Sequence, residues 1–198
     1  MLFRSAPSKN IKTVSELVAY AKSKPGELNF ASAGVGSATH MNAEKFSARA
    51  GIRHTHVPYK GTPEAMTDVM EGRVDVFFAP VNAALANIQA GRFVTLAVGS
   101  SQRTPILPNV PTTEEAGVKD SAYNFWVGML APSKTPRDIV NKLNEETVKV
   151  LNSPELTERF KSMGMSAWPM KPEAFDASIK AEIESMAEIV KTAKIELN

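Results

Sequence analysis

Leu28-Asn29-Phe30-Ala31-Ser32-Ala33-Gly34-Val35-Gly36-Ser37-Ala38-Thr39-His40 sets the architecture of the chain. Leu28 to Ala31 is a brief apolar strand, and Ser32 to Ser37 is a glycine-bearing loop that opens a helix over about 37 to 50. A strand passing through a tight loop into a helix is the opening half of a crossover unit.

The neighbouring segments repeat that pattern. Upstream, Thr13-Val14-Ser15-Glu16 is a capping box, and Val14, Leu17, Val18 and Ala21 share one helical face before Pro25-Gly26 ends the run. Downstream, Arg53 to Val57 alternates as a strand and Pro58-Tyr59-Lys60-Gly61 turns. Thr62-Pro63 then starts a helix to about Met70. Val74 to Phe78 and Phe93 to Val98 are further strands, separated by a helix from Pro80 to about Ala90. Strands joined by single helices predict an α/β fold with right-handed crossovers and a mainly parallel sheet flanked by helices, with ligands favoured at the carboxyl ends of its strands.

The rest of the chain changes character. Pro105 to Gly117 is a proline-rich connector with a one-turn helix started by the capping box Thr112-Thr113-Glu114-Glu115. Tyr123 to Leu130 reads as a buried strand, and helices follow from Thr135-Pro136 to about Leu151 and from Ser153-Pro154-Glu155 to Gly164. Met165 to Trp168 is extended. Pro172 opens a terminal helix with Phe175, Ile179, Ile183, Met186 and Val190 at spacings of three and four.

The 198 residues carry 23 Lys plus Arg against 21 Asp plus Glu, too even a balance for a general nucleic-acid or anionic-membrane binder. Residues 1 to 61 depart from it, with nine Lys or Arg against three Glu, a positive local field suited to a small anion. Zero cysteines exclude a disulfide framework, a thiolate zinc site and a cysteine nucleophile. No apolar run approaches the roughly 20 residues that span a bilayer, and no signal peptide opens the sequence, so the chain reads as cytosolic as written, or truncated. Leu2-Phe3-Arg4-Ser5 also coincides with the translation of a common sequencing-adapter end, which makes residues 1–5 a candidate non-native start.

Ser32 to Thr39 is the foremost candidate site. Its glycines allow backbone N–H groups to converge, and the helix start adds free donors and a positive dipole end. Ser32, Ser37 and Thr39 add hydroxyls beside the amides of Ala33, Gly34, Gly36 and Ala38, a donor set suited to a carboxylate. The third glycine of a dinucleotide loop is absent, and no Gly-Lys-Ser/Thr completes a P-loop. Tyr59, Lys60, Gly61 and Thr62 form a second strand-to-helix junction, and Ala79-Pro80 a third. Each of these also fits an ordinary turn. His54 and His56 have the spacing of one strand face, without a third ligand to complete a metal site. His40 reads as a helix-surface or loop-packing residue. Gly-x-Ser-x-Gly is absent, Asp68 and Asp75 do not pair, and no triad or dyad assembles. No cofactor or metal is called for. Trp126 and Trp168 read as packing residues.

Taken in order, Lys12-Thr13-Val14, Pro25-Gly26, Leu28 to His40, His56-Val57-Pro58-Tyr59-Lys60-Gly61, Gly72-Arg73-Val74-Asp75, Pro108-Asn109-Val110-Pro111-Thr112 and Glu115-Ala116-Gly117 resemble the Bug-type extracytoplasmic solute receptors, the substrate-binding proteins of tripartite tricarboxylate transporters. The resemblance implies a type II periplasmic-binding-protein-like lobe over 6–118. It further implies a segment returning to an absent first lobe over 119–165, and a short strand with the C-terminal helix over 166–198. It implies a periplasmic, non-enzymatic receptor for a small organic acid such as a di- or tricarboxylate, an acidic amino acid or an aromatic carboxylate, delivered to membrane transporter subunits. Self-association through exposed lobe surface would follow from the missing lobe. A cytosolic α/β enzyme acting on a phosphorylated or carboxylated metabolite is the alternative.

Overall fold

A computed structural model describes residues 2–5, 10–193 and 195. The chain divides into two units: Met1–Phe125 with Ile189–Asn198, and Trp126–Glu188.

The first unit holds a five-stranded sheet. Its strands are β1 (Leu2–Ser5), β2 (Asn29–Ser32), β3 (Thr55–Pro58), β4 (Val76–Ala79) and β5 (Val94–Val98), in the order β3-β2-β4-β1-β5. β2 runs parallel to β3 and to β4, with Asn29 opposite Thr55 and Ala31 opposite Phe77. β1 lies antiparallel between β4 and β5, with Leu2 opposite both Ala79 and Val98. The mainly parallel character holds, with β1 the one strand the sequence did not announce.

Helices cover the strands because the strands are apolar on both faces. All four residues of β4 are buried. Phe78 faces one side, where Phe30 of β2 and Phe46 of α2 (Ala38–Ala50) meet it at ring-centroid distances of 6.3 and 5.6 Å. Phe77 faces the other, packed with Ala65, Met66 and Val69 of α3 (Thr62–Met70) and Ala84 of α4 (Val81–Gln89). α1 (Val14–Ser23) buries Val14, Leu17 and Ala21 and carries the expected capping box at Thr13 and Glu16. At the start of β4, buried Asp75 accepts from Asn29 N (2.9 Å) and Asn29 Nδ2 (3.3 Å), tying β2 to β4.

The second unit is helical: α5 (Arg137–Leu151), α6 (Pro154–Ser162) and most of α7 (Pro172–Ala193). The sequence predicts a buried strand over Tyr123 to Leu130, and the structure corrects this: residues 121–132 have no regular secondary structure. Tyr123 is buried, whereas Val127 and Leu130 are 79% and 71% exposed. A strand needs a neighbouring edge for its backbone groups, and the second unit contains no strand among the described residues. Trp126 instead packs edge-on against Phe175 of α7 at 5.3 Å and donates its indole N–H to Glu182. Gly128 suits this spot, since a Cβ there would lie 2.5 Å from Phe175 Cζ.

Candidate functional site

The parallel strands β3, β2 and β4 end side by side, and each leads into a helix, so residues 32–37, 59–61 and Pro80 occupy one edge of the sheet. The first two junctions are joined by Tyr59 N–H, which donates to Ser32 O at 3.0 Å. Gly34 and Gly36 adopt φ of 123° and 73°, backbone that a side chain disfavours.

Most of the first loop's donors serve the loop itself. Ala33 N–H donates to Thr39 Oγ1 (2.8 Å), Gly34 N–H to Ser32 Oγ (3.1 Å) and Gly36 N–H to His40 Nδ1 (3.1 Å). Ser37 Oγ caps α2 by accepting from His40 N–H at 3.3 Å and donates to Gly34 O at 2.7 Å. The hydroxyls of Ser32, Ser37 and Thr39, expected to face a ligand, therefore brace the loop. Among the described residues, the amides of Val35, Ala38 and Thr39 have no acceptor. The sequence singled out Ala38 and Thr39 but not Val35, whose side chain is exposed and says nothing of its amide.

At the second junction, Gly61 is the N-cap of α3 and makes no side-chain cap bond. The amides of Gly61 and Thr62 likewise have no acceptor among the described residues. Lys60 is exposed, and its own amide donates to Glu64 Oε2 at 3.2 Å. Tyr59 directs its phenol to Asp68 Oδ2 at 2.7 Å, and Asp68 also pairs with Arg73. Burial and the bond to Asp68 push the Tyr59 phenol up to about 12, so it stays a donor fixed on Asp68. At the third junction Pro80 precedes α4 without a side-chain cap, and Ala79 is fully buried in β4.

Behind the first loop the fold gathers all three histidines of the sequence around Glu44. His40 and His56 stack with ring centroids 3.7 Å apart at 8°. Glu44 Oε1 lies 3.4 Å from His40 Nε2 and 3.3 Å from His54 Nε2, and His54 Nδ1 meets Ser47 Oγ at 3.0 Å. Burial alone would raise the Glu44 carboxyl, but hydrogen bonds and charge from His40 and His54 hold it down at about 2. Burial and the neighbouring His40 push His56 down to about 4. His40 is therefore a loop-packing residue and not a helix-surface one; it is 3% exposed. No group of three or more His, Asp or Glu among the described residues is arranged to hold a metal ion.

One pairing absent from the sequence reading emerges: Ser32 Oγ lies 2.6 Å from His56 Nε2. It is not a hydrolytic dyad. Ser32 is fully buried, its oxygen is shared with Gly34 N and O, and Glu44 contacts His40 and His54 instead of orienting His56.

Residues 2–195 match the family described as "Tripartite tricarboxylate transporter family receptor". The chain belongs to that receptor family. Among its curated relatives, the "UPF0065 protein in tcbD-tcbE intergenic region" of Pseudomonas sp. (strain P51) is 35% identical over 94% of this chain and 56% of its own length. The "UPF0065 protein in clcB-clcD intergenic region" of Pseudomonas knackmussii is 31% identical over 84% of this chain and 99% of its own length. The chain thus spans about half the length of most curated relatives it matches. Of the solved structures, "R. palustris Rpa4515 with adipate" superposes with a TM-score of 0.91 at 32% identity, covering 98% of this chain and 65% of that one. "MatC (Rpa3494) from Rhodopseudomonas palustris with bound malate" gives 0.84 at 28%, covering 96% and 65%. A third, "Structure of periplasmic binding protein BugD", gives 0.85 at 30%, covering 98% and 66%, and the family is one of receptors, against the alternative of a metabolite-converting enzyme. No helix among the described residues is long and apolar enough to cross a membrane.

Proposed function

We propose that this receptor-family chain binds a small dicarboxylate and presents it to a tripartite transporter in the periplasm. One carboxyl group would be held by the main-chain amides where α2 and α3 begin. The observation that carries this reading is the set of unpaired donors at adjacent strand ends: Val35, Ala38 and Thr39 from the first junction, Gly61 and Thr62 from the second. Helix starts favour negative charge through free N–H groups and the dipole. The solved relatives described with adipate and malate support a dicarboxylate in particular.

In this reading residues 6–118 form the second lobe, 119–165 the segment that returns to the first, and 166–198 the closing helix. The additional length of most relatives supplies the opposite wall of the site. Val127, Met129 and Leu130 are exposed. A contiguous apolar strip of this kind is suited to burial against that wall, or against a second copy of the chain where the wall is absent.

The test is thermal unfolding with millimolar adipate or malate, using a diol of matching length as the uncharged control. The acids raise the midpoint and the diol leaves it unmoved. Gly36→Val, a branched residue at φ 73°, abolishes the rise, whereas Lys60→Ala, removal of one exposed charge, only reduces it. No shift with any dicarboxylate counts against the reading.

A further inference from the structure

Two imidazoles grip the two ends of the first loop. His56 Nε2 meets Ser32 Oγ at 2.6 Å, and His40 Nδ1 accepts from Gly36 N–H at 3.1 Å. The rings lie flat on one another, 3.7 Å between centroids. A backbone amide can only donate, so Nδ1 of His40 must carry its lone pair. The ring's single proton then sits on Nε2, facing Glu44 Oε1 at 3.4 Å. A second proton has only Nδ1 to occupy, and there it would set one N–H against another. Protonation of His40 and the Gly36 hydrogen bond are mutually exclusive.

Glu44, on α2 itself, lies one helical turn from His40. His56 from β3 and His54 from the segment before β3 are the other titratable groups of the cluster. Burial keeps His56 neutral down to about 4, so it does not repel an incoming charge on its neighbour across the mildly acidic range. Gly34 and Gly36, both at positive φ, leave the loop free to take another shape once the grip is lost.

We propose that His40 and His56 are positioning residues that clamp the Ser32–Gly36 loop in the shape that presents the Val35, Ala38 and Thr39 amides, and that a proton on His40 opens the clamp. The meaning for a ligand rests on the dicarboxylate reading; the clamp itself does not, and it is tested without ligand.

The experiment follows the Gly36 amide of the full chain by nitrogen-15 NMR and hydrogen exchange, between about pH 8 and about pH 5. Protection of Gly36, corrected for intrinsic exchange, falls by at least about ten-fold between the two ends of that range. His40→Asn keeps an acceptor near the position of Nδ1 but cannot take a proton, and it keeps Gly36 protected at both ends of the range. A merely structural role for His40 would give wild type and His40→Asn the same flat profile. Unchanged Gly36 protection throughout the folded range overturns the proposal, whether the ring stays neutral or titrates without effect. A wild-type response in His40→Asn overturns it equally. A lack of carboxylate binding leaves this result standing, so the two ideas fail separately.

Discussion

Glu44 and His56 make the chain sensitive to acid at two different depths. The folded state holds Glu44 at about 2 against an ordinary value of 4.5. A depressed carboxyl contributes stability above the ordinary value, and that contribution drains away as pH falls from 4.5 through about 2. His56 is depressed from 6.5 to about 4, so below 6.5 the unfolded chain takes up a proton that the folded chain refuses. Stability from this residue is lost between 6.5 and about 4. Urea unfolding across a pH series should therefore show a decline beginning near neutrality, followed by a second loss in stronger acid. His56→Gln, which retains a polar partner for Ser32 but does not titrate, flattens the first decline. An equal decline in that variant would assign the first loss to another group.

Elements set by local signals match the sequence reading closely. Glu16 N–H donates to Thr13 Oγ1 at 3.1 Å, and Glu16 Oε2 accepts from Thr13 N and Lys12 N at 3.1 and 2.7 Å. Thr13→Ala should cost about 1 kcal/mol in a denaturant titration; an unchanged midpoint would mean that packing of Val14 and Leu17 alone holds the helix start. The capped turn at Thr112 and Glu115 was legible for the same reason: neighbours along the chain supply its cause. Elements that depend on distant partners were not. β1 is a strand only because β4 and β5 flank it, and Tyr123 to Leu130 has strand composition but no edge to pair with. In the candidate site, the glycine loop and helix starts could be read from spacing. The turning of the hydroxyls inward could not, because Thr39, His40 and His56 reach the loop through helical pitch and strand register.

The two units differ in how well they cover their apolar residues. In the first, Phe30, Phe46, Phe77 and Phe78 are fully buried, whereas α5 and α6 of the second bury none of their residues. With Val127, Met129 and Leu130 also open, light scattering should find the isolated chain associating as its concentration rises. Val127→Ser combined with Leu130→Ser should return it to a monomer. A wild-type chain that stays monomeric at every concentration would show these side chains to be harmless in water. The sheet order has a temporal consequence as well. Leu2 pairs with Ala79 and Val98, so β1 gains both its neighbours only after most of a hundred further residues have been made. Until β5 emerges one of β1's edges is unsatisfied, and that interval is when a nascent chain of this topology most needs a chaperone.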